Sequence, residues 1–252
     1  MRESRIFVGE KAPLLFGHRG CPVEAPENTL ASFSRILENN IPGVELDVQV
    51  CSSGELVVLH DNNMLRTTGF DGNILDHDLT QIRSLDNGSF FSPDFKGEKI
   101  PLLEEVFQLL GDKVYYDIEL KADYTRSFGL EKKVLAMIRD FRLTRRVVVS
   151  SFNPLPVARF KKLTNEIPAF LIYSDTEDVP FYLRKGEGRF LCRPEGLKPD
   201  CRLLDENLYR KLSRKYLLMS WTVNDLKTYN RLAEWEIDGV CSNYAADFVS
   251  GS

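Results

Sequence analysis

Val44-Glu45-Leu46-Asp47-Val48-Gln49-Val50, a turn at Cys51-Ser52-Ser53-Gly54, and Glu55-Leu56-Val57-Val58-Leu59-His60-Asp61 are the stretch from which the rest of the chain is read. Residues 44–50 alternate apolar and polar, the period of a strand. Glu45 and Asp47 therefore project to one face, roughly 6.5–7 Å apart. A four-residue turn would set Val50 opposite Glu55 and carry His60 to a place opposite Glu45. Opposed residues of an antiparallel pair point to the same side. The spacing thus brings one histidine and two carboxylates together.

Working outward, Pro13 to His18 is a short apolar strand, and Gly20 allows the sharp turn after His18-Arg19. A loop with Pro22, Pro26 and Glu27 leads to Asn28, which fits the N-cap of a helix through Leu30, Phe33, Ile36 and Leu37. Strand, helix, strand is a βαβ unit and implies a parallel pair. From 61 to 100 the pattern breaks under Gly69, Gly72, Asn73, Asn87, Gly88, Pro93 and Gly97, and only 79–85 reads as helix, with Asp78 or Thr80 as its cap. So long an irregular stretch inside a domain suggests a functional insertion. Regularity returns at Pro101, placed in the first turn of a helix that ends at Gly111. Strands are predicted at 113–121, 146–152, 169–173, between 190 and 197, at 216–223 and at 237–242. Helices are predicted at 131–141, 154–163, near 179–185, at 206–215 and at 225–235, with a short closing helix within 244–250.

About eight strands alternate with helices, beside one extra hairpin strand. This pattern predicts an α/β fold, a (β/α)8 TIM barrel. One domain spans 1–252, with residues 61–100 as a small insertion after the second barrel strand that covers the C-terminal mouth. The absence of GxGxxG and GxxxxGK[ST] argues against an open nucleotide-binding sheet. A formal charge of -4 over 252 residues gives no broad footprint for nucleic acid, and Arg184, Lys185, Arg189, Arg193 and Lys198 read as a solvated basic cluster. The five cysteines show no CxxC spacing and are expected as free thiols in a reducing compartment. No signal-like N-terminus and no run of ~20 apolar residues occurs, so a soluble, cytoplasmic protein without membrane insertion is expected.

In a barrel the functional groups lie at the C-terminal strand ends. That places His18, Arg19, Glu45, Asp47, Glu119, Lys121 and Trp221 at one mouth. Three clustered acids repel and take up protons unless a cation compensates them, and an all-oxygen set suits Mg²⁺ or Ca²⁺. His18 and His60 can divide the roles of general base and acid. His77, between two aspartates, reads as a solvated loop histidine. Arg19 and Lys121 suit phosphate, although Lys121 also fits an ion pair with Glu119 or Asp117. Trp221 suits stacking on an alcohol or choline-like group, or simple barrel packing.

His18-Arg19-Gly20, Pro26-Glu27-Asn28-Thr29, Glu45-Leu46-Asp47-Val48, Leu59-His60-Asp61, Arg66-Thr67-Thr68-Gly69, 100–105, Ile118-Glu119-Leu120-Lys121, Ser151-Phe152-Asn153, Trp221-Thr222-Val223-Asn224 and Asp238-Gly239-Val240 follow one another in order. In these motifs the chain resembles the glycerophosphodiester phosphodiesterase family, from Leu15 to about Asn243. The resemblance implies a TIM barrel with its insertion after His60. It implies Glu45, Asp47 and Glu119 as ligands of one divalent cation and His18 and His60 as the acid/base pair. Arg19 and Lys121 are then at the phosphate. The implied reaction converts glycerophosphodiesters, small molecules such as glycerophosphocholine, to sn-glycerol 3-phosphate and an alcohol. The chain departs from the family at Ser242-Asn243, where Thr-Asp and a nearby proline are usual, a change expected to touch no ligand. It also fits poorly over 175–204. Two other readings keep the fold: a lysophospholipase D-like or sphingomyelinase D-like enzyme, with Phe70, Phe90, Phe91 and Phe95 as an apolar entrance, and a non-catalytic binding barrel.

Overall fold

In the computed structural model, which describes residues 5–7, 9–122, 128–177 and 179–250, strands and helices alternate from β1 (Leu14–His18) and α1 (Leu30–Glu38) to β2 (Gly43–Val50) and its hairpin partner β3 (Leu56–Val58). The insertion contributes α2 (Leu65–Thr68) and α3 (Leu79–Ser84). Then come α4 (Leu103–Leu110), β4 (Tyr115–Leu120), α5 (Leu130–Asp140), β5 (Val147–Ser151), α6 (Pro154–Leu163) and β6 (Ala169–Tyr173). The chain closes through α7 (Arg189–Cys192), β7 (Gly196–Pro199), α8 (Glu206–Leu212), β8 (Leu217–Ser220), α9 (Leu226–Glu234), β9 (Gly239–Ser242) and α10 (Ala245–Ser250). Eight strands pair in parallel in the order β1-β2-β4-β5-β6-β7-β8-β9, and β9 returns to β1. This is the closed (β/α)8 barrel expected from the sequence.

Alternation along each strand separates two cores. Leu14, Phe16, Tyr115, Val148, Phe170 and Met219 pack together inside the barrel. Residues of the other parity, such as Val44, Leu46, Ile118 and Val149, join the larger core beneath the helices. Continued upward, the inward parity delivers His18 on β1, Glu45 and Asp47 on β2, and Asp117 and Glu119 on β4 to the lumen. Gly20, at φ +88, makes the turn after β1. A Cβ there would lie 2.3 Å from Ser32 Oγ, the group that accepts from Cys21 N and donates to the Arg19 carbonyl.

Several local expectations change. The hairpin turn has three residues, not four: Cys51 N donates to the Glu55 carbonyl, Gly54 takes φ +101, and Val50 faces Leu56. A one-residue slip exchanges the faces of a strand, so His60 does not lie opposite Glu45. The ladder ends at Val58, and Gln49 donates from Nε2 to the carbonyls of Leu59 and Asp61. That clamp turns the chain and sends His60 to the mouth by another route. Asn28 is not the cap of α1. It sits at φ +55 with its amide on Asp47, and Thr29 caps the helix. Pro101 precedes the N-cap of α4, Leu102, and its carbonyl accepts from Val58 N. No helix forms at 179–185, where Pro180 and Gly186 favour turns. The helix falls at Arg189–Cys192 and the strand follows at Gly196–Pro199. The insertion has its own small core, with Met64, Ile74, Ile82 and Ile100 packed on Val57 and Leu59, and Asp78 caps α3 in a capping box with Gln81.

Candidate active site

Strand register assembles the acids. Asp47 pairs with Glu119 across β2 and β4, and Glu45 pairs with His18 across β2 and β1. One carboxylate oxygen from each of Glu45, Asp47 and Glu119 lies within 4.8 Å of the others, and all three residues are buried. Asp47 accepts from Asn28 Nδ2 at 2.9 Å and lies 3.4 Å from Arg19 Nε and 3.5 Å from Lys121 Nζ. Lys121 reaches Glu119 at 3.0 Å, and the Arg19 backbone N–H donates to Glu45 at 3.0 Å. Burial pushes the Glu45 carboxyl up, and the neighbouring Asp47 charge adds to the push. Burial would also raise Asp47, but Lys121, Arg19 and His60 hold it below the usual carboxylate range. Lys121 stays charged because Glu119 and Asp47 outweigh its desolvation.

Beneath the acids lies a buried pair whose lysine was expected on a solvated face. Lys198 Nζ, on β7, meets Asp117 Oδ2 at 2.6 Å, and Ser150 Oγ donates to Asp117 Oδ1 at 2.6 Å. Lys198 is only 2% exposed. Its signal was available in outline, since Asp117 shares inward parity with Glu119, but the partner strand was not legible. Four carboxylates (Glu45, Asp47, Asp117, Glu119) thus face three cations (Arg19, Lys121, Lys198), a formal charge of -1. Asp47 Oδ1 is buried without a hydrogen bond. A residual negative charge, an orphaned oxygen and an acid that resists ionisation fit a hard cation at this point.

The two histidines are oriented by unlike partners. His18 Nδ1 lies 2.6 Å from Asn243 Oδ1, which can accept a proton held on Nδ1, and His18 Nε2 lies 3.9 Å from Glu45 Oε2. Burial, helped by the Arg19 charge, pushes the His18 imidazolium down to about 3. The departure at Ser242-Asn243 touches none of the clustered acids, but it does reach the site, because Asn243 is the partner of His18 Nδ1. His60 Nδ1 instead meets the Asp61 carboxylate at 2.5 Å. Arg66, from the insertion, binds Asp61 at 2.6 Å and Glu27 at 2.7 Å, and Glu27 binds Arg19 at 2.9 Å. This chain links His60 to Arg19, and the sequence motifs containing Glu27 and Arg66 gave no hint of it.

Both histidines, two of the three clustered acids and all three of these cations border one cavity of about 560 Å³, lined by His18, Arg19, Glu45, His60, Glu119, Lys121 and Lys198 on its polar side. Its apolar wall is Phe152, Ile172, Val179, Pro180, Leu183 and Trp221. The phenylalanines of the insertion do not line it, so the expected apolar entrance comes instead from the connection after β6. Trp221 stands edge-on to Phe152 at 5.2 Å, and its indole N–H has no hydrogen-bond partner among the described residues. His77 is a loop histidine, accepted by the Asn73 carbonyl and set against Phe70.

Comparison with known proteins gives the family. The sequence profile of the Glycerophosphoryl diester phosphodiesterase family matches residues 18–246. A glycerophosphodiester phosphodiesterase of Caldanaerobacter subterraneus is 32% identical over 231 residues, 91% of this chain and 93% of the relative. A phosphodiesterase of Oleispira antarctica, solved with its product sn-glycerol-3-phosphate, superposes with a TM-score of 0.79 at 26% identity, over 95% of this chain and 97% of that one. A glycerophosphodiester phosphodiesterase of Thermotoga maritima gives a TM-score of 0.72 at 25% identity, over 96% and 100%. The chain belongs to the glycerophosphoryl diester phosphodiesterase family and has the activity for which that family is named.

Proposed function

We propose that the chain hydrolyses glycerophosphodiesters in this cavity to sn-glycerol 3-phosphate and an alcohol, with one divalent cation and two histidines in opposite roles. Glu45, Asp47 and Glu119 would hold Mg²⁺ or Ca²⁺, which supplies a Lewis acid for a phosphoryl oxygen. Arg19 and Lys121 stand on either side of Asp47 and stabilise charge on the other phosphoryl oxygens. His18, neutral and backed by an amide, accepts the proton of the attacking hydroxyl, whether from water or from the glycerol itself. His60, backed by the Asp61 carboxylate, carries a proton and gives it to the leaving alkoxide. The apolar wall with Trp221 takes the organic part of the substrate, and the free indole N–H offers one donor to it. The insertion supports the reading of a single domain with a covered mouth, since Asn62 lines the cavity and Arg66 bridges to Glu27. All five cysteines are free, in keeping with a cytoplasmic setting, and no helix among the described residues is long and apolar enough to cross a membrane.

The observation that carries this reading is the unlike support of the two imidazoles beside one acid triad. A leaving-group comparison tests it. Against a p-nitrophenyl phosphodiester, whose leaving group needs no protonation, His60→Ala should regain most of the rate it loses on glycerophosphocholine. His18→Ala should stay equally impaired on both, and chelation should abolish turnover of both. The reverse pattern would exchange the two roles, and full activity of either variant on glycerophosphocholine would end the two-histidine reading.

A further inference from the structure

The three acids of the site share a pattern beyond their strand parity. Each has one carboxylate oxygen held by a protein donor and one that accepts no hydrogen bond among the described residues. Asp47 Oδ2 accepts from Asn28 Nδ2 at 2.9 Å and faces Arg19 Nε at 3.4 Å. Its Oδ1 is buried without a hydrogen bond, with Lys121 Nζ standing off at 3.5 Å. Glu45 Oε2 accepts from the Arg19 backbone N–H at 3.0 Å, and Glu119 Oε1 accepts from Lys121 Nζ at 3.0 Å. One oxygen per acid is thus left over.

Asn28 is the donor with no other task. Its Nδ2 serves the Asp47 carboxylate, and its Oδ1 faces the Asp47 backbone N–H at 3.5 Å. Turning the amide over would set donor against donor and oxygen against oxygen, so the donor stays on Oδ2. Asn28 is fully buried at φ +55, and its own N–H donates at 3.0 Å to the carbonyl of Arg19, which sits at φ +57. Two non-glycine residues in the left-handed region, bonded to each other, place backbone strain beside the acids. That strained pair aims the Arg19 N–H at Glu45 and the Asn28 amide at Asp47.

With the acid triad read as a cation site, as above, we propose that Asn28 fixes Asp47 as a one-oxygen ligand and, together with the Arg19 N–H on Glu45 and Lys121 on Glu119, sets the site for Mg²⁺ rather than Ca²⁺. A carboxylate that grips one ion with both oxygens must aim both at it. Here the second oxygen of each acid is aimed at a donor, and turning it away costs a hydrogen bond in a buried place. Three single oxygens on the paired strands β2 and β4 suit a small ion of octahedral demand, which keeps its remaining positions for water and phosphoryl oxygens. Ca²⁺ takes about six to eight oxygens, often two from one carboxylate, in a pliable shell, and this arrangement offers neither.

The test is calorimetric titration of the metal-free whole chain with magnesium or calcium chloride, without substrate. Mg²⁺ is expected to bind about tenfold more tightly than Ca²⁺, or better. Asn28→Gly removes the donor and tolerates the left-handed backbone. It should weaken Mg²⁺ about tenfold or more and Ca²⁺ by less, because Asp47 can then offer both oxygens. Lys121→Met frees Glu119 Oε1 in the same way and should also lower the preference for Mg²⁺, so the comparison stands if either variant fails to fold. Ca²⁺ binding as tight as Mg²⁺ in the wild-type chain would overturn the selectivity and leave the cation site standing. Binding of neither ion would overturn the selectivity and the cation site together. An unchanged ratio of the two dissociation constants in folded Asn28→Gly would overturn the role given to Asn28.

Discussion

Lys198→Met removes a charge from the barrel lumen at nearly constant length, and its consequences follow from three features of the structure. The ion pair with Asp117 is 2.6 Å long, the two side chains are 3% and 0% exposed, and Ser150 Oγ is a second donor to that carboxylate. At an effective dielectric of about 20, the Coulomb attraction over such a distance is about 6 kcal/mol. Desolvation of both ions offsets most of it, so the pair itself is a small net contributor. Breaking it leaves Asp117 buried and unpaired, a loss of about 3–5 kcal/mol. For a chain of this length that is roughly 6–20 °C in Tm. The site would also pass from a formal -1 to -2, so divalent cation affinity should rise while KM for a phosphodiester monoanion rises with it. Urea unfolding and cation titration of the metal-free protein measure both. The double variant Lys198→Met with Asp117→Asn should recover more than about 2 kcal/mol relative to additivity. A loss below about 1 kcal/mol for Lys198→Met, or strictly additive variants, would refute a paired buried charge.

Two further outcomes are expected. Arg66→Gln releases Asp61 and Glu27 together; because the Arg66 side chain is 45% exposed, stability should fall by less than about 1 kcal/mol, but kcat should drop about tenfold with KM nearly constant. Unchanged kcat in steady-state assay would detach Arg66 from His60. For His18, the folded value near 3 lies below the unfolded value of about 6.5, so between those pH values the unfolded state binds the extra proton and stability rises with pH. Taking the metal-free protein from pH 7 to pH 5 should therefore lose about 2 kcal/mol that His18→Gln does not lose. Parallel pH profiles for the two proteins in denaturant melts would contradict the burial argument.

The barrel was legible because alternation and helical spacing are local, and eight repeats of one unit leave few topologies. The acid triad was legible for the same reason: Glu45, Asp47 and Glu119 each declare themselves by parity on a strand. What failed depended on turn geometry. Gly54 at φ +101 shortened the hairpin loop by one residue, and Asn28 at φ +55 served Asp47 instead of α1. Residues 175–204 misled because Pro180, Gly186 and Gly188 break any periodic pattern, which also hid Lys198. No pattern in one strand reveals that a lysine on β7 will cross the lumen to an aspartate on β4. The same holds for Asn243, whose role as partner of His18 exists only because β9 closes onto β1.

That closure also explains why a charged layer stands where barrels ordinarily pack branched apolar side chains. The lower lumen is apolar, with Phe16, Phe170 and Met219, and supplies the burial that the upper layer forgoes. The upper layer is arranged so that no single charge set is neutral by itself. Four acids and three cations leave -1. With a divalent cation bound, the proposed site stands at +1, and a phosphodiester monoanion brings it to zero. The product monoester carries close to two negative charges near neutral pH, because its second ionisation has a pKa of about 6. The filled site then returns to about -1, inside a low-dielectric cavity where one uncompensated charge weighs heavily. Lys198, paired with Asp117 where it lines the cavity, contributes to that balance, and its removal would move both ends of the cycle by one charge unit.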